Sequence, residues 1–65
     1  GRSEDDILSF CAQPRSREEL KVFLGVNTTS YMMHKFVMPL IVKGRLVLTL
    51  PNAPKSSKQR FVTVA

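Results

Sequence analysis

Few side chains in this sequence of 65 residues could carry out catalytic or metal chemistry. Cys11 and His34 are its single cysteine and histidine, whereas a zinc site needs three or four ligands. Cys11 and His34 are also poorly suited to act together in nucleophilic catalysis, because Cys11 falls on the apolar face of a predicted helix, where thiols are usually inert. Glu18 and Glu19 fall at the start of a second predicted helix, and no carboxylate follows them. The sequence also lacks a glycine-rich phosphate loop, and we therefore predict no enzyme activity, no metal and no cofactor.

The basic residues offer a different kind of chemistry. Residues 1–19 hold all five acids and three arginines, whereas residues 20–65 hold seven basic residues and no acid. This separation creates an electropositive surface, and such surfaces attract phosphate polyanions. The alternative is a solubilising charged surface, which is typical of sequences in which acids and bases are interspersed.

Length limits the kind of protein further. A chain of 65 residues and 7.3 kDa forms one small domain, and it buries only about 60% of the surface of its unfolded form. Little room is left for a substrate pocket, since typical ligand pockets have volumes of about 300–1,000 Å³. We therefore predict a single binding domain over residues 1–65, without a small-molecule substrate.

Cysteine usage and hydropathy bear on location. One cysteine excludes an internal disulfide and is typical of the reducing cytoplasm, where we expect this chain. The longest apolar run, residues 37–42, is far shorter than the roughly 20 residues that cross a membrane, so no membrane partner is predicted. The start GRSEDD lacks a methionine, and we expect a fragment of a longer protein.

A first helix is predicted from about Glu4 to Ala12. Ser3 and Asp6 have the spacing of a capping box, and acids in the first turn favour the helix dipole. Pro14 disfavours helical structure at the residue before it and separates this helix from the next. The apolar residues fall mainly on one face and are predicted to pack inward: Ile7, Leu8, Phe10 and Cys11.

A second helix is predicted from about Arg17 to Leu24. Ser16 and Glu19 form an S-x-x-E capping box at its start, and Gly25 can adopt the positive φ of a C-terminal cap. The spacing i, i+3, i+4 identifies its buried face as Leu20, Phe23 and Leu24.

A third helix is predicted to start at one of several possible N-caps in residues 27–30 and to end near Lys43, before Gly44. Pro39 removes one backbone hydrogen bond and its ring clashes with the carbonyl of Lys35, so the helix should kink or restart there. The four-residue spacing predicts a buried stripe of Met32, Phe36 and Leu40, with Val37 and Ile41 beside it.

The period of the apolar pattern changes from 3.6 to 2 after Gly44. Residues 45–50 alternate with leucine at 46, 48 and 50, which predicts a half-buried strand. Residues 51–59 contain two prolines and two lysines and predict a basic loop. Residues 60–64 predict a second strand, paired with the first as an antiparallel hairpin. The pattern leaves open whether Phe61 or the pair Val62 and Val64 faces the core.

The order of these elements predicts an α+β fold, a winged helix-turn-helix with three helices followed by a two-stranded antiparallel β-hairpin wing. The runs PRSREELKVFLGV and SYMMHKFVMPLIVKGRLVLTLPNAPKSSKQRFVTV carry a family resemblance from Ile7 to Val64. The chain resembles the C-terminal winged-helix domain of bacterial Fic-like proteins. It is also similar to the C-terminal domain of transcriptional regulators with a Schlafen/AlbA-type ATP-binding domain, often described as helicase-related. The resemblance implies DNA binding within a bacterial transcriptional regulator.

In a DNA-binding helix-turn-helix, the second helix of the motif enters the major groove and its N-terminal residues contact base edges. We expect double-stranded DNA as the partner, with modest sequence specificity because no arginine lies on that face. The predicted base contacts are Thr28, Thr29, Ser30, Met33 and His34. The predicted phosphate contacts are Arg15, Arg17, Lys35, Lys55, Lys58 and Arg60.

A protein partner is the alternative. Winged helices also serve as protein-binding modules, and an adjacent domain of the parent protein could be the partner. Met33 and Met38 are predicted to lie exposed on the third helix, and methionine is common at adaptable interfaces. Basic residues on the wing favour DNA, whereas exposed methionines favour a protein partner.

Overall fold

Helix α1 (Glu4–Phe10) starts with the predicted capping box in the computed structural model, which describes residues 3–65. The Ser3 hydroxyl accepts the Asp6 N–H at 3.2 Å, and the Asp6 carboxylate accepts the Ser3 N–H at 3.1 Å. These two bonds satisfy N–H groups that the first helical turn leaves without partners. The helix ends two residues earlier than predicted, because the chain turns at residues 11 and 12.

Helix α2 (Arg17–Leu24) has the predicted start and end. The Ser16 hydroxyl accepts the Glu19 N–H at 3.1 Å, and the Glu19 carboxylate accepts the Ser16 N–H at 2.9 Å. Gly25 has φ of +67°, and the N–H of Val26 donates to the carbonyl of Lys21, which is the Schellman arrangement at a helix end. The chain therefore turns sharply between the second and third helices.

The third helical stretch contains a feature that the sequence did not predict. It consists of α3 (Thr29–Met32), a π-helical segment (Met33–Val37) and α4 (Met38–Val42). The N–H of Met38 donates to the carbonyl of Met33 five residues before it, which widens the helix just ahead of Pro39. The wider turn accommodates the proline ring, which would clash with a carbonyl in a regular α-helix.

The π segment also changes which side chains are buried. An extra residue in one turn moves the apolar stripe from Phe36 to Val37, which is fully buried between Met32 and Leu40. Phe36, predicted at the centre of the stripe, is half-buried and its ring meets the Tyr31 ring edge to face at 6.2 Å. Met32 and Leu40 are buried as predicted, whereas the prediction that Phe36 lies at the centre of the stripe was wrong.

Strands β1 (Leu46–Leu48) and β2 (Phe61–Thr63) form an antiparallel pair in which Leu48 lies opposite Phe61. Both strands are shorter than predicted. Phe61 is buried, whereas Val62 is half-buried and Val64 is exposed, which answers the question that alternation left open. The strands therefore turn Leu46 and Phe61 toward the helices.

A short bridge adds a third backbone segment to this sheet. The N–H of Arg15 donates to the carbonyl of Phe61 at 2.9 Å, and the N–H of Phe61 donates back to the carbonyl of Arg15 at 2.8 Å. The segment between α1 and α2 therefore pairs with the free edge of β2. This bridge ties the start of α2 to the hairpin.

The core lies between the three helical elements and the inner face of the sheet. Burial raises the pKa of the Cys11 thiol to about 11, an effect that the positive charge of Arg15 opposes, so the thiol is neutral and unreactive. The buried apolar residues are Ile7, Leu8, Cys11, Leu20, Met32, Val37, Leu40, Leu46 and Phe61.

None of the helices formed by residues 3–65 has the length and apolar character needed to cross a membrane.

Candidate nucleic-acid interface

The start of the third helical stretch presents polar groups to solvent. Thr28 is the N-cap of α3, and its hydroxyl accepts the N–H of Tyr31 at 3.2 Å. Ser30 and His34 are exposed, and Thr29 is half-buried. Met33 is half-buried against the core, so the prediction that it is exposed was wrong. Four of the five predicted base contacts therefore offer polar atoms at this end of the helix.

The three predicted lysine contacts carry charges that no ion pair neutralises within residues 3–65. Lys35, Lys55 and Lys58 are exposed, and the ion pairs among the described residues involve other side chains. Lys55 and Lys58 lie together in the hairpin loop, residues 51–59. Lys35 lies apart from them, in a shallow pocket beside Glu4 and Pro39.

Two of the predicted arginine contacts instead meet at one carboxylate. An Arg60 guanidinium nitrogen lies 2.9 Å from one Glu19 oxygen, and an Arg15 nitrogen lies 3.5 Å from the other. Arg15 also donates to the carbonyl of Phe10 at 2.7 Å and lies over the Phe10 ring at 4.2 Å. Both arginines therefore have partners within the protein, and their contact with phosphate stays a prediction.

The third predicted arginine contact, Arg17, reaches the hairpin loop. Its two terminal nitrogens donate to the carbonyls of Pro54 at 2.8 Å and Ser56 at 3.0 Å. Arg17 is the first residue of α2, so these bonds connect a helix start to a loop almost 40 positions later in the sequence. Its contact with phosphate also stays a prediction.

The hairpin loop is a series of three turns. The N–H groups of Ala53, Ser56 and Gln59 each donate at 3.0 Å to the carbonyl three residues before them. This regular pattern gives the loop internal backbone bonds that its sequence, with two prolines and several polar residues, does not reveal. The loop therefore has a defined shape, which the prediction of a loop by composition left open.

Gln59 fills the inside of these turns. Its side chain is only 1% exposed, and its amide nitrogen donates to the carbonyls of Leu50 and Ala53. Its amide oxygen accepts the N–H groups of Leu50 and Arg60. Three of these bonds join Leu50 and Arg60 at the two ends of the loop and the fourth joins Ala53 within it, so Gln59 closes the loop. Sequence reasoning missed this residue, because a glutamine among exposed polar residues carries no signal of burial.

A cleft of about 380 Å³ lies where the third helical stretch, the start of α2 and the hairpin loop approach each other. Thr29 lines it from the helix, and Ser57 lines it from the loop. Arg17 and Arg60 lie on its walls, together with the carboxylate of Glu18. The structure thus brings one predicted base contact and two predicted phosphate contacts to a single cleft.

A second surface on the third helical stretch is apolar. Tyr31 is 53% exposed, Met38 is 45% exposed and Val42 is 81% exposed. An open groove of about 510 Å³ also lies between α1 and α2. It is lined by Val22 and by the stacked rings of Phe10 and Phe23, whose centroids are 4.0 Å apart. Exposed apolar patches of this kind mark protein interfaces in many proteins.

No protein-family model matches this chain, and no curated protein or solved structure shows significant similarity to it. The resemblance to the C-terminal domains of Fic-like proteins and of Schlafen/AlbA-type regulators therefore stays a prediction. At the level of architecture, the chain is a small α+β domain with helices followed by a two-stranded antiparallel sheet.

The hydrogen bonds around Glu19 make the stability of the domain depend on pH. The Ser16 N–H, with the charges of Arg60 and Arg15, holds the pKa of the Glu19 carboxyl below its usual range. A carboxyl whose pKa is lower in the folded than in the unfolded protein stabilises the fold at pH values above its pKa in the unfolded protein. This contribution disappears as the pH falls through its pKa in the folded protein. We therefore expect the wild type to be more stable than Glu19→Gln at pH 7.

Urea unfolding of both proteins between pH 7 and pH 2 measures this effect. The difference in the free energy of unfolding should shrink below about pH 4.5, the ordinary value for a glutamate, as Glu19 gains a proton. A difference that stays constant over this range would show that the charge of Glu19 has no role in stability.

Proposed function

We propose that this domain is a winged helix-turn-helix that binds double-stranded DNA. The third helical stretch lies in the major groove, and the hairpin loop serves as the wing that contacts phosphates. The parent would be a transcriptional regulator, as the family resemblance implies. The bridge between Arg15 and Phe61 supports the winged-helix assignment, because it joins the segment before α2 to the hairpin and fixes the hairpin beside the helices.

The cleft between helix and loop is the observation that carries the proposal. Thr29 and Ser57 line it from its two sides, so a DNA backbone that passes the start of α3 also passes the hairpin loop. Lys55 and Lys58, in that loop, have no carboxylate partner among residues 3–65 and are free to neutralise phosphates. Hydroxyl groups at residues 28–30 can donate to or accept from bases, which gives modest sequence specificity.

A titration of the ¹⁵N-labelled domain with a duplex of random sequence tests this proposal. We expect the largest amide shifts at residues 28–34 and 55–60, because these two segments approach the same duplex. Residues 20–24 of α2 serve as the internal reference, since none of them lines the cleft between helix and loop. Shifts confined to the exposed apolar residues of α4, or no shifts at low salt, would contradict DNA binding by this domain.

Protein binding is the second candidate function. The exposure of Tyr31, Met38 and Val42 on one helical stretch favours it, since apolar side chains that share an exposed surface often form protein interfaces. This candidate predicts that Met38→Glu abolishes binding to an adjacent domain of the parent protein and leaves DNA affinity unchanged.

A further inference from the structure

We infer that Arg17 is a positioning residue that fixes the conformation of the hairpin loop around Lys55. The effect of Arg17 on DNA binding rests on the proposed function. Its effect on the conformation of the loop can be measured without DNA. Arg17 donates to the carbonyls of Pro54 and Ser56, which are the residues on either side of Lys55. The guanidinium therefore holds the backbone at both ends of the peptide that carries this lysine.

The geometry of the contact requires an arginine. The guanidinium is a rigid plane whose two terminal nitrogens can donate to two acceptors at once. Here the acceptors are the two carbonyls that flank Lys55, at 2.8 and 3.0 Å. A lysine at position 17 keeps the positive charge, but its ammonium is a point charge on a flexible stem and does not reproduce a planar, two-point contact.

The rest of the loop depends on the same bonds. The carbonyl of Ser56 also accepts the N–H of Gln59, and the hydroxyl of Ser56 accepts the N–H of Lys58 at 3.1 Å. Ser56 therefore connects the Arg17 contact to the turn that carries the second lysine and to the buried glutamine. Loss of the Arg17 contact should loosen the last two of the three turns, whereas the first turn is held by Gln59 itself.

Arg17→Lys separates a positioning role from direct contact with phosphate, because it preserves the charge and removes the two-point contact. We expect the amides of Ser56 and Gln59 to exchange with solvent about tenfold faster in Arg17→Lys than in the wild type, since each lost hydrogen bond lowers protection. Arg45→Lys is the matched control, since Arg45 is an exposed arginine outside the loop, and its exchange profile should equal that of the wild type. Unchanged exchange at Ser56 and Gln59 in Arg17→Lys would overturn the inference.

DNA affinity provides the second readout. If Arg17 positions Lys55, then Arg17→Lys and Arg17→Gln weaken binding to a similar extent, about fivefold to tenfold, although only the glutamine removes a charge. If Arg17 instead contacts a phosphate, Arg17→Lys keeps most of the affinity, and this result would overturn the positioning role. If the wild type fails to bind DNA, the proposed function and the consequence for binding both fail, whereas the exchange measurement still decides whether Arg17 orders the loop.

Discussion

Lys55→Gln/Lys58→Gln is expected to bind duplex DNA about 30-fold more weakly than the wild type at 50 mM salt. Both lysines are exposed in the hairpin loop and have no ion-pair partner among residues 3–65, so their charges are available to phosphates. An exposed charge-assisted contact contributes about 1 kcal/mol, and two such contacts amount to about 30-fold in affinity. Fluorescence anisotropy with a labelled duplex of random sequence measures the loss.

The control for this double variant removes the same amount of charge elsewhere. Lys21→Gln/Arg45→Gln also lowers the net charge from +5 to +3, but neither residue lies in the hairpin loop or at the start of the third helical stretch. We expect it to lose less than about fivefold in affinity, through the weaker long-range field alone. Equal losses in the two double variants would show that total charge, rather than the loop, determines binding.

Phe61→Ala is expected to remove a large part of the domain's stability. The Phe61 ring is fully buried, and its backbone pairs with both β1 and the Arg15 segment. Replacing a buried phenylalanine by alanine costs about 3–5 kcal/mol, whereas a domain of this length has a total stability of about 3–10 kcal/mol. Thermal unfolding followed by circular dichroism should show a midpoint at least about 12 °C lower, at about 4–8 °C for each kcal/mol, or no cooperative transition.

Val64→Ala is the control at the end of the same hairpin arm. Val64 follows β2 and is 46% exposed, so its truncation should shift the unfolding midpoint by only a few degrees. A midpoint for Phe61→Ala close to that of Val64→Ala would contradict the assignment of Phe61 to the core and would reopen the register of the hairpin.

The sequence predicted those features that depend on neighbouring residues. The capping boxes at Ser3 and Ser16 and the positive φ of Gly25 are local signals, because each bond joins residues three to five positions apart. Alternation after Gly44 also predicted a strand, although it overestimated its length. These elements could be placed without knowing the tertiary structure.

The features that were missed depend on residues far apart in the sequence. Arg17 contacts the loop across almost 40 residues, and the Arg15–Phe61 bridge spans an even longer separation. The π segment is a third case, since Pro39 indicates that the helix must be disturbed but not whether it kinks or widens. Such long-range partners determine which predicted site residues remain available to bind a ligand. The spacing of residues in the sequence does not reveal these partners.

The salt dependence of DNA binding by the wild-type domain tests the central claim most directly. With phosphate contacts from Lys35, Lys55 and Lys58, log K should fall with log salt at a slope of about −2.7. Affinity for a duplex should then be about 40-fold lower at 200 mM salt than at 50 mM. A slope near zero, or no binding at 50 mM salt, would contradict the proposal that this domain binds the phosphate backbone of DNA.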